Sequence, residues 1–226
     1  MGVIAAEQFR RMAFWSVELT EPEFERARRG TVERAYPKGA YVCHRGDQLD
    51  AWLGVVDGLL KLGTVSETGK YVTLAGLRTG GWFGEGSVLK DEPRQYDLSV
   101  LRDTRLALMN RATFIWLFEN SVGFNRFLVR QFNERLGQFI AMVEYDRSLN
   151  ATERLARNIA WLFNPVLYPG SSNYLEISQE EVGLLSGISR QAANEALKTL
   201  EARGLIKLER MGITVRDLPG LLRPRE

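Results

Sequence analysis

The apolar residues change their spacing twice along the chain, and each change marks a different kind of structure. Between about residues 31 and 108, short runs rich in β-branched and aromatic residues alternate with glycine turns, as in AYVCHRGD, AWLGVVDGLLKLGTV and TGGWFGEGSVL. Strands separated by turn signals at intervals of about 8 to 12 residues predict a small antiparallel roll or barrel. A short helix precedes this region, because Thr20 and Glu23 have the spacing of a capping box.

From about Thr113 to Asp146 the spacing becomes helical, which predicts one long helix. The apolar positions of its stripe recur every three or four residues: Leu128, Phe132, Leu136, Phe139 or Ile140, and Val143. We expect this stripe to pair with that of a second copy and to make the protein a homodimer. The alternative is that the stripe packs only on the roll of its own chain. Phe124 and Phe127 add breadth to the apolar surface and favour a helix with two apolar sides.

The third region, from about Ser148, begins with the helical stretch NATERLARNIAWLF and the loop NPVLYPGSSN. Two further helices are then expected, since Ser178 and Glu181 form a second capping box and Ser189 can cap the helix that follows Gly187. The segment LIKLERMGITVRDL reads as two short strands. Two helices joined by a tight turn and followed by a hairpin predict a winged, DNA-binding unit.

The second helix of this pair carries a polar face near its start, formed by Arg190, Gln191, Asn194 and Lys198. Arginine can pair bidentately with guanine, and glutamine or asparagine with adenine, in the major groove. We therefore predict base contacts from Arg190, Gln191 and Asn194. Phosphate contacts are predicted for Ser178, Gln179, Ser189, Lys198 and Lys207. The competing interpretation is a solvated surface with ordinary charges.

Composition limits the class of protein. The 226 residues are 45% hydrophobic, enough for a core in one or two domains, and the net charge is only +2. DNA affinity would then rest on positioned cations and helix N-termini, not on a strong overall positive charge. The single cysteine, Cys43, points to a reducing compartment. The first residues lack a signal-peptide pattern and no stretch approaches the roughly 20 apolar residues of a membrane helix, so we expect a cytoplasmic protein without a membrane partner.

Several motifs together resemble the CRP/FNR superfamily of bacterial transcription regulators over nearly the whole chain: YPKGAYVCHRGDQLDAWLGVVDGLLKL, GGWFGEGSVL, ERLGQFIAMVEYDRSLNATERLARNIAWL and ISQEEVGLLSGISRQAANEALKTLEARGLI. The resemblance implies an α+β fold. It consists of an N-terminal, jelly-roll-like antiparallel β-roll of the cyclic-nucleotide-binding type (1–112), a long dimerisation helix (113–147) and a C-terminal winged helix–turn–helix domain (148–226). It also implies double-stranded DNA, a second copy of the chain and RNA polymerase as partners, although no residue can be assigned to the polymerase.

The resemblance further implies an effector pocket in the roll. Members that bind cyclic AMP use a Gly-Glu pair and a later Arg-Ser pair to hold the ribose and the cyclic phosphate. Gly84 and Glu85 match the first pair, but Tyr96 and Asp97 stand where Arg-Ser is expected, and Arg94 lies two residues earlier. A carboxylate facing a phosphate is repulsive. The substitution therefore predicts that cyclic AMP does not bind.

The base-binding side of the pocket differs as well, because Phe139 and Ile140 replace the two hydroxyl residues that meet the adenine. Three interpretations of the roll remain open. It binds another, less polar small molecule; it has lost ligand sensing and serves as a dimer scaffold; or it still binds a cyclic nucleotide through Arg94 with a shifted loop. The effector itself is unknown, and no cofactor is predicted.

The family resemblance also bears on DNA sequence preference. The cyclic AMP receptor protein reads bases with an Arg-Glu pair and an arginine four residues after the glutamate. Arg190 keeps the first of these, whereas Gln191 and Glu195 replace the other two. Glu195 thus joins the predicted base contacts, and we expect a palindromic target whose base preference differs from that protein's operator.

Other chemistries have little support in the sequence. One cysteine excludes an iron–sulfur cluster, and His44 is the only histidine. Because neighbours in a strand point to opposite faces, Cys43 and His44 cannot form a nucleophile–base pair. There is no P-loop, catalytic triad or metal-ligand spacing, so we expect neither an enzyme nor a metal site. The alternatives to a DNA-binding regulator are a ligand-binding or enzymatic module with an accessory helix–turn–helix, and an interaction scaffold.

Overall fold

The structure, a computed structural model, describes residues 4–65, 69, 71–145, 149–169 and 172–223. It confirms the expected α+β architecture of an antiparallel roll, a long helix and a C-terminal helix–turn–helix unit. The expected end of the long helix at Asp146 and the boundary between residues 147 and 148 lie outside the described residues.

A short helical segment precedes the roll. It contains α1 (Ala6–Met12), a 3₁₀ helix (Phe14–Glu18) and α2 (Glu21–Arg29). The predicted capping box begins α2, because the Glu23 carboxylate accepts a hydrogen bond from the backbone N–H of Thr20 at 2.7 Å. This segment packs on one face of the roll through a cluster of buried aromatic side chains: Phe9, Trp15, Phe24, Trp52, Trp82, Phe114, Phe124 and Phe127.

The roll is made of two four-stranded antiparallel sheets. Its strands are β1 (Thr31–Tyr36), β2 (Tyr41–Cys43), β3 (Ala51–Asp57), β4 (Leu59–Val65), β5 (Tyr71–Arg78), β6 (Trp82–Phe83), β7 (Asp97–Val100) and β8 (Thr104–Asn110). One sheet has the order β1-β8-β3-β6 and the other β2-β7-β4-β5, and apolar side chains from both fill the space between them. A short helix, α3 (Glu85–Lys90), follows β6.

The helical segment after the roll consists of two helices where the sequence predicted one. They are α4 (Arg111–Asn120) and α5 (Val122–Tyr145). Ser121 separates them, and its hydroxyl accepts a hydrogen bond from the backbone N–H of Phe124 at 3.2 Å, which caps the start of α5.

One member of the predicted apolar stripe was assigned to the wrong side of α5. Leu128 is 2% exposed and packs in the aromatic cluster on its own roll, whereas Val129 is 65% exposed. The start of α5 has two apolar sides, so the sequence pattern alone did not show which of two adjacent residues faces outward. Val129 therefore belongs to the exposed row.

In its described residues, 149–169 and 172–223, the C-terminal unit contains four helices and a three-stranded sheet. Its elements are α6 (Ala151–Trp161), β9 (Tyr174–Glu176), α7 (Gln179–Ser186), α8 (Arg190–Ala202), β10 (Ile206–Glu209), β11 (Gly212–Val215) and α9 (Leu218–Leu222). The hairpin of β10 and β11 confirms the predicted wing. Strand β9 was not predicted; it pairs with β11, with Leu175 opposite Ile213.

The C-terminal unit packs directly on the roll of the same chain. Leu59 and Leu101 of the roll are buried in the core of the unit. The Thr73 hydroxyl of β5 donates a hydrogen bond to the Leu184 carbonyl oxygen of α7 at 2.9 Å. Both apolar and polar contacts therefore hold the C-terminal unit against the roll. Among the described helices, none is long and apolar enough to cross a membrane.

Candidate nucleic-acid interface and effector cavity

Side-chain caps fix the start of both helices of the helix–turn–helix. The Ser178 hydroxyl accepts a hydrogen bond from the Glu181 backbone N–H at 3.2 Å, and the Glu181 carboxylate accepts one from the Ser178 N–H at 2.7 Å. The Ser189 hydroxyl accepts one from the Ala192 N–H at 3.2 Å and begins α8. Both predicted caps are thus present.

Two glycines allow the sharp turn and the close approach of these helices. Gly187 has a φ of +64°, which glycine adopts at little cost and which ends α7. A Cβ on Gly183 would lie 3.1 Å from the carbonyl oxygen of Ile188. The turn and the crossing therefore place the first residues of α8 at the surface, beside the start of α7.

The residues predicted to contact bases lie together at this surface. Arg190, Gln191 and Glu195 are exposed, and Asn194 is partly buried. The Gln179 amide donates a hydrogen bond to the Asn194 side-chain oxygen at 3.1 Å, and the Gln191 amide donates one to Glu195 at 3.4 Å. Base or phosphate contacts by these side chains would require them to release these hydrogen bonds.

The residues predicted to contact phosphates flank this surface. Ser178, Gln179, Ser189 and Lys198 are exposed. Lys207 of the wing is exposed as well, and its ammonium contacts the Glu209 carboxylate at 2.6 Å. Lysine side chains at such a surface attract phosphate without reading sequence.

Arg190 also borders a cleft of about 540 Å³ between the C-terminal unit and the roll. Lys38 and Arg102 line the cleft from the roll, and Arg210 and Met211 line it from the turn of the wing. The proposed major-groove reader thus lies close to the roll as well as to the wing.

A cavity of about 410 Å³ lies between the roll, α5, α6 and α7. Four of the seven residues predicted for the effector pocket line it: Gly84, Glu85, Tyr96 and Phe139. Burial raises the pKa of the Tyr96 hydroxyl, although Arg94 opposes the shift, so the side chain stays neutral at neutral pH.

The Glu85 carboxylate already has hydrogen-bond and ion-pair partners within the protein. Its carboxylate accepts a hydrogen bond from Trp52 Nε1 at 3.3 Å and forms an ion pair with Arg135 of α5. The Arg135 guanidinium also donates to the carbonyl oxygen of Trp82. The carboxylate that would meet a ribose is thus held between the roll and α5.

The other three predicted residues, Arg94, Asp97 and Ile140, are not among the residues that line the cavity. Arg94 is 1% exposed, and its guanidinium donates to the carbonyl oxygens of Gly84 at 2.9 Å and Leu49 at 3.1 Å, so it holds the loops of the roll together.

Asp97 points toward a different turn, where its carboxylate accepts a hydrogen bond from the Arg45 backbone N–H at 2.9 Å. Ile140 lies on the exposed side of α5, where its side chain is 56% exposed. Both residues were placed in the pocket by their position in the sequence, and their side chains point elsewhere because adjacent residues of a strand or helix face different directions.

Several lining residues were not predicted from the sequence, among them Arg135, Gln138, Trp161 and Leu185. They come from α5, α6 and α7, and no short-range spacing connects them. The only signal in the sequence was the position of Arg135 and Gln138 within one turn of Phe139 on the same helix.

The one cysteine and the one histidine do not form a catalytic pair. Cys43 is buried, and burial raises the pKa of its thiol to about 11. His44 is exposed and stacks on Tyr41, with ring centroids 4.2 Å apart. A neutral, buried thiol is a poor nucleophile. The described residues also contain no group of three or more His, Cys, Asp or Glu side chains able to hold a metal ion.

Comparisons with known proteins agree with this geometry. The cyclic nucleotide-binding domain family model matches residues 33–121, and the Crp-like helix-turn-helix domain family model matches residues 153–223. The cyclic AMP receptor protein of Thermus thermophilus is 27% identical over 184 residues, which cover 81% of this chain and 83% of that protein.

Solved structures show the same fold. The catabolite activator protein of Thermus thermophilus has a TM-score of 0.51 and 25% identity, with 90% of this chain and 93% of that chain covered. FixK2 of Bradyrhizobium japonicum has a TM-score of 0.63 and 17% identity, with coverage of 84% and 95%. Members of this group are transcription factors and not enzymes. The chain belongs to the CRP/FNR family of DNA-binding transcription regulators.

Proposed function

We propose that the protein is a homodimeric, sequence-specific regulator that places the start of α8 in the major groove and does not respond to cyclic AMP. The observation that carries the proposal is the exposed start of α8, where the Ser189 cap brings Arg190 and Gln191 to the surface beside Ser178 of α7. Helix–turn–helix proteins read base edges with this part of the second helix.

The side chains on α8 suit direct readout. The Arg190 guanidinium matches the two acceptors of guanine, and the amides of Gln191 and Asn194 match the donor and acceptor of adenine. The capped N-termini of α7 and α8 present backbone N–H groups to phosphates. In a twofold dimer, these groups would recognise two half-sites about one helical turn apart.

Dimerisation is supported by a row of exposed apolar side chains on α5, which we call the α5 row: Val129, Phe132, Leu136, Phe139 and Val143. Their spacing alternates between three and four residues, the pattern of a two-helix seam. Each side chain is between 39% and 65% exposed. Large apolar side chains that remain this exposed on one helix face indicate a surface that another chain covers.

The absence of a cyclic AMP response is supported by the cavity. No Arg-Ser pair follows Gly84-Glu85, the Glu85 carboxylate is paired with Arg135, and Arg94 is buried among carbonyl oxygens. An anionic phosphodiester needs an available cation or several donors. The relative from Thermus thermophilus is named for cyclic AMP, and we attribute the proposed difference from it to these residues.

Selection of bound sequences from a random DNA pool tests the DNA-binding part. We expect a palindromic motif with wild-type protein. Arg190→Ala is expected to lose about 1 to 3 kcal/mol per half-site and to relax preference at one base pair. Arg29→Ala, which changes an exposed arginine at the end of α2, is the matched control and should select the wild-type motif. An unchanged motif and affinity for Arg190→Ala would show that α8 is not the reader.

Isothermal titration with cyclic AMP tests the effector part separately. We expect no binding heat at millimolar nucleotide with protein that binds its selected DNA. A micromolar dissociation constant would overturn this part of the proposal and leave the DNA-binding part intact. Transcription in vitro from the selected sequence then measures whether the bound dimer acts through RNA polymerase, the partner that family membership implies.

A further inference from the structure

We infer that the cavity between the roll and the C-terminal unit binds a neutral, mostly apolar small molecule that carries a hydrogen-bond acceptor. The inference rests on the proposed function only where it concerns DNA binding. The site itself is argued from three features of the lining: its apolar body, one buried donor and its paired charges.

The body of the cavity is apolar. Leu74 and Leu77 of β5 line one side, Trp161 and Leu162 line the side toward α6, and Leu185 lines the side toward α7. The volume of about 410 Å³ lies within the range of small-molecule sites. An aromatic or aliphatic body fits this lining, because it would bury apolar surface against leucine and tryptophan side chains.

One buried donor points to a polar group on the ligand. Gln138 of α5 lines the cavity, and its side-chain nitrogen is buried with no hydrogen-bond partner among the described residues. Leaving such a donor unpaired is costly. A carbonyl, ether or hydroxyl oxygen on the ligand would satisfy it.

The charges of the lining select against an ionised ligand. Glu85 is paired with Arg135, and the Lys90 ammonium lies 3.5 Å from the Glu92 carboxylate. In the described part of the lining each charged side chain thus has an opposite partner. An anion or a cation would have to break one of these pairs, whereas a neutral molecule leaves them intact.

The position of the cavity gives its occupant direct contact with the DNA-binding unit. Asn158 and Trp161 of α6 and Leu185 of α7 line it together with Phe139 and Met142 of α5. The backbone of β5 is close to the same helices, because a Cβ on Gly76 would lie 3.0 Å from side-chain atoms of Leu162 and Leu185. An occupant therefore contacts the roll, the α5 helix and α7 at once.

The probe for the test is 6-propionyl-2-dimethylaminonaphthalene, a neutral naphthalene whose ketone is a hydrogen-bond acceptor. Its emission shifts to the blue in apolar surroundings, which gives the signal for a titration. We expect saturable binding to full-length protein with a blue shift of the probe emission. Trp161→Phe, which leaves a smaller apolar ring in the lining, should weaken binding of the probe about threefold.

Two further variants test the lining itself. Leu74→Trp fills the cavity from a partly buried strand position and should weaken binding of the probe roughly tenfold or more. Gln138→Leu removes the donor and should weaken it about three- to tenfold. The matched control is Gln48→Leu, which changes an exposed glutamine of the roll outside the lining and should leave the dissociation constant unchanged.

Each outcome has a defined meaning. Circular dichroism establishes that a variant is folded before its titration is used, and the Trp161→Phe titration stands even if Leu74→Trp does not fold. The inference is overturned if the probe does not bind, if folded Leu74→Trp binds it as wild type does, or if Trp161→Phe leaves the dissociation constant of the probe unchanged. Displacement by cyclic AMP would overturn the neutrality of the ligand.

A separate DNA titration distinguishes this inference from the proposed function. Saturating probe should change the affinity of wild-type protein for its selected DNA at least about threefold, because the occupant contacts α7. At a probe concentration near the wild-type dissociation constant, the change in DNA affinity should be smaller for Gln138→Leu, in proportion to its lower occupancy. If the protein binds no DNA but the lining variants behave as expected, the ligand site stands and the proposed function fails.

Discussion

The DNA-binding surface and the effector cavity are built from the sequence in opposite ways. The surface takes its caps, its turn and its readers from one stretch between Ser178 and Lys198. The cavity takes its lining from segments as far apart as Leu62 and Leu185. In the first region, neighbouring residues in the chain fix each other's positions by caps and helical spacing. In the second, the position of each side chain depends on how distant elements pack.

This difference decides what each region tolerates. A cap or a glycine in the helix–turn–helix acts through the local backbone, so a substitution there changes one helix end. A residue such as Arg135 connects the roll to α5 through Glu85 and the Trp82 carbonyl, so its substitution changes the relation between two elements. A substitution in the cavity lining is therefore expected to alter the packing of more than one element.

The largest expected effect concerns the α5 row, which shares features of both regions because its spacing is local and its partner is another chain. Replacing Leu136 and Val143 together with glutamate would place four carboxylates in an apolar seam of the proposed dimer. We expect dimerisation to weaken by at least about 4 kcal/mol, roughly a thousandfold in dissociation constant. Analytical ultracentrifugation should show a monomer at micromolar concentration.

The matched control is a double variant that adds the same charge outside the row. Val17 is 75% exposed in the 3₁₀ helix and Val72 is 39% exposed on β5, and glutamate at both should leave the dimer intact. If the α5 variant remains a dimer with an unchanged dissociation constant, the row is not the seam, and the second copy must bind elsewhere.

A smaller effect is expected at a contact that joins the C-terminal unit to the roll. Glu181 completes the cap of α7 and also accepts two hydrogen bonds from Arg102 of the roll, at 2.7 Å and 3.1 Å. Burial alone raises the pKa of Glu181, but hydrogen bonds from Arg102 and from the Ser178 backbone outweigh it and hold the pKa below its ordinary value. The charged form is therefore favoured in the folded protein.

Arg102→Ala is expected to lower the free energy of unfolding by about 1 to 2 kcal/mol at pH 7. Because the folded pKa of Glu181 is depressed, this stabilisation is present above the unfolded pKa and is lost as pH falls through the folded pKa. Urea unfolding between pH 7 and pH 3 should thus show wild type and variant converging at acid pH. Arg105→Ala, which breaks the more exposed pair with Glu33, should change stability by less than about 0.5 kcal/mol.

The features that could be predicted from the sequence are those that depend on residues close together in the chain. The caps at Thr20, Ser178 and Ser189 and the turn at Gly187 were predicted because each depends on residues within a few positions. The sequence pattern placed Leu128 in the exposed row, where the structure has Val129. Consecutive residues of a helix point about 100° apart, and both sides of α5 are apolar at that point.

Long-range packing explains the remaining differences. Arg94 was a candidate phosphate ligand, yet its guanidinium is occupied by carbonyl oxygens from two loops that no spacing in the sequence connects to it. Strand β9 was missed because three residues after a loop form a strand only when β11 lies beside them. Gln138 was missed because its importance arises from its side-chain nitrogen having no hydrogen-bond partner among the described residues, which only the folded structure reveals.

The smallest expected effect distinguishes residues of the DNA-binding surface that contact bases from those that contact phosphates. Lys207 lies on β10 of the wing. Among the described residues, its ammonium forms an ion pair only with Glu209. If it attracts a phosphate, Lys207→Ala should weaken binding to every sequence alike, by less than about 1 kcal/mol at physiological salt. It should also reduce the slope of log affinity against log salt by about one for each half-site. Fluorescence anisotropy with the selected DNA and a scrambled duplex, over a range of salt concentrations, measures both quantities. A change of base preference in this variant, or an unchanged salt slope, would contradict a phosphate contact and would place Lys207 among the readers or outside the interface.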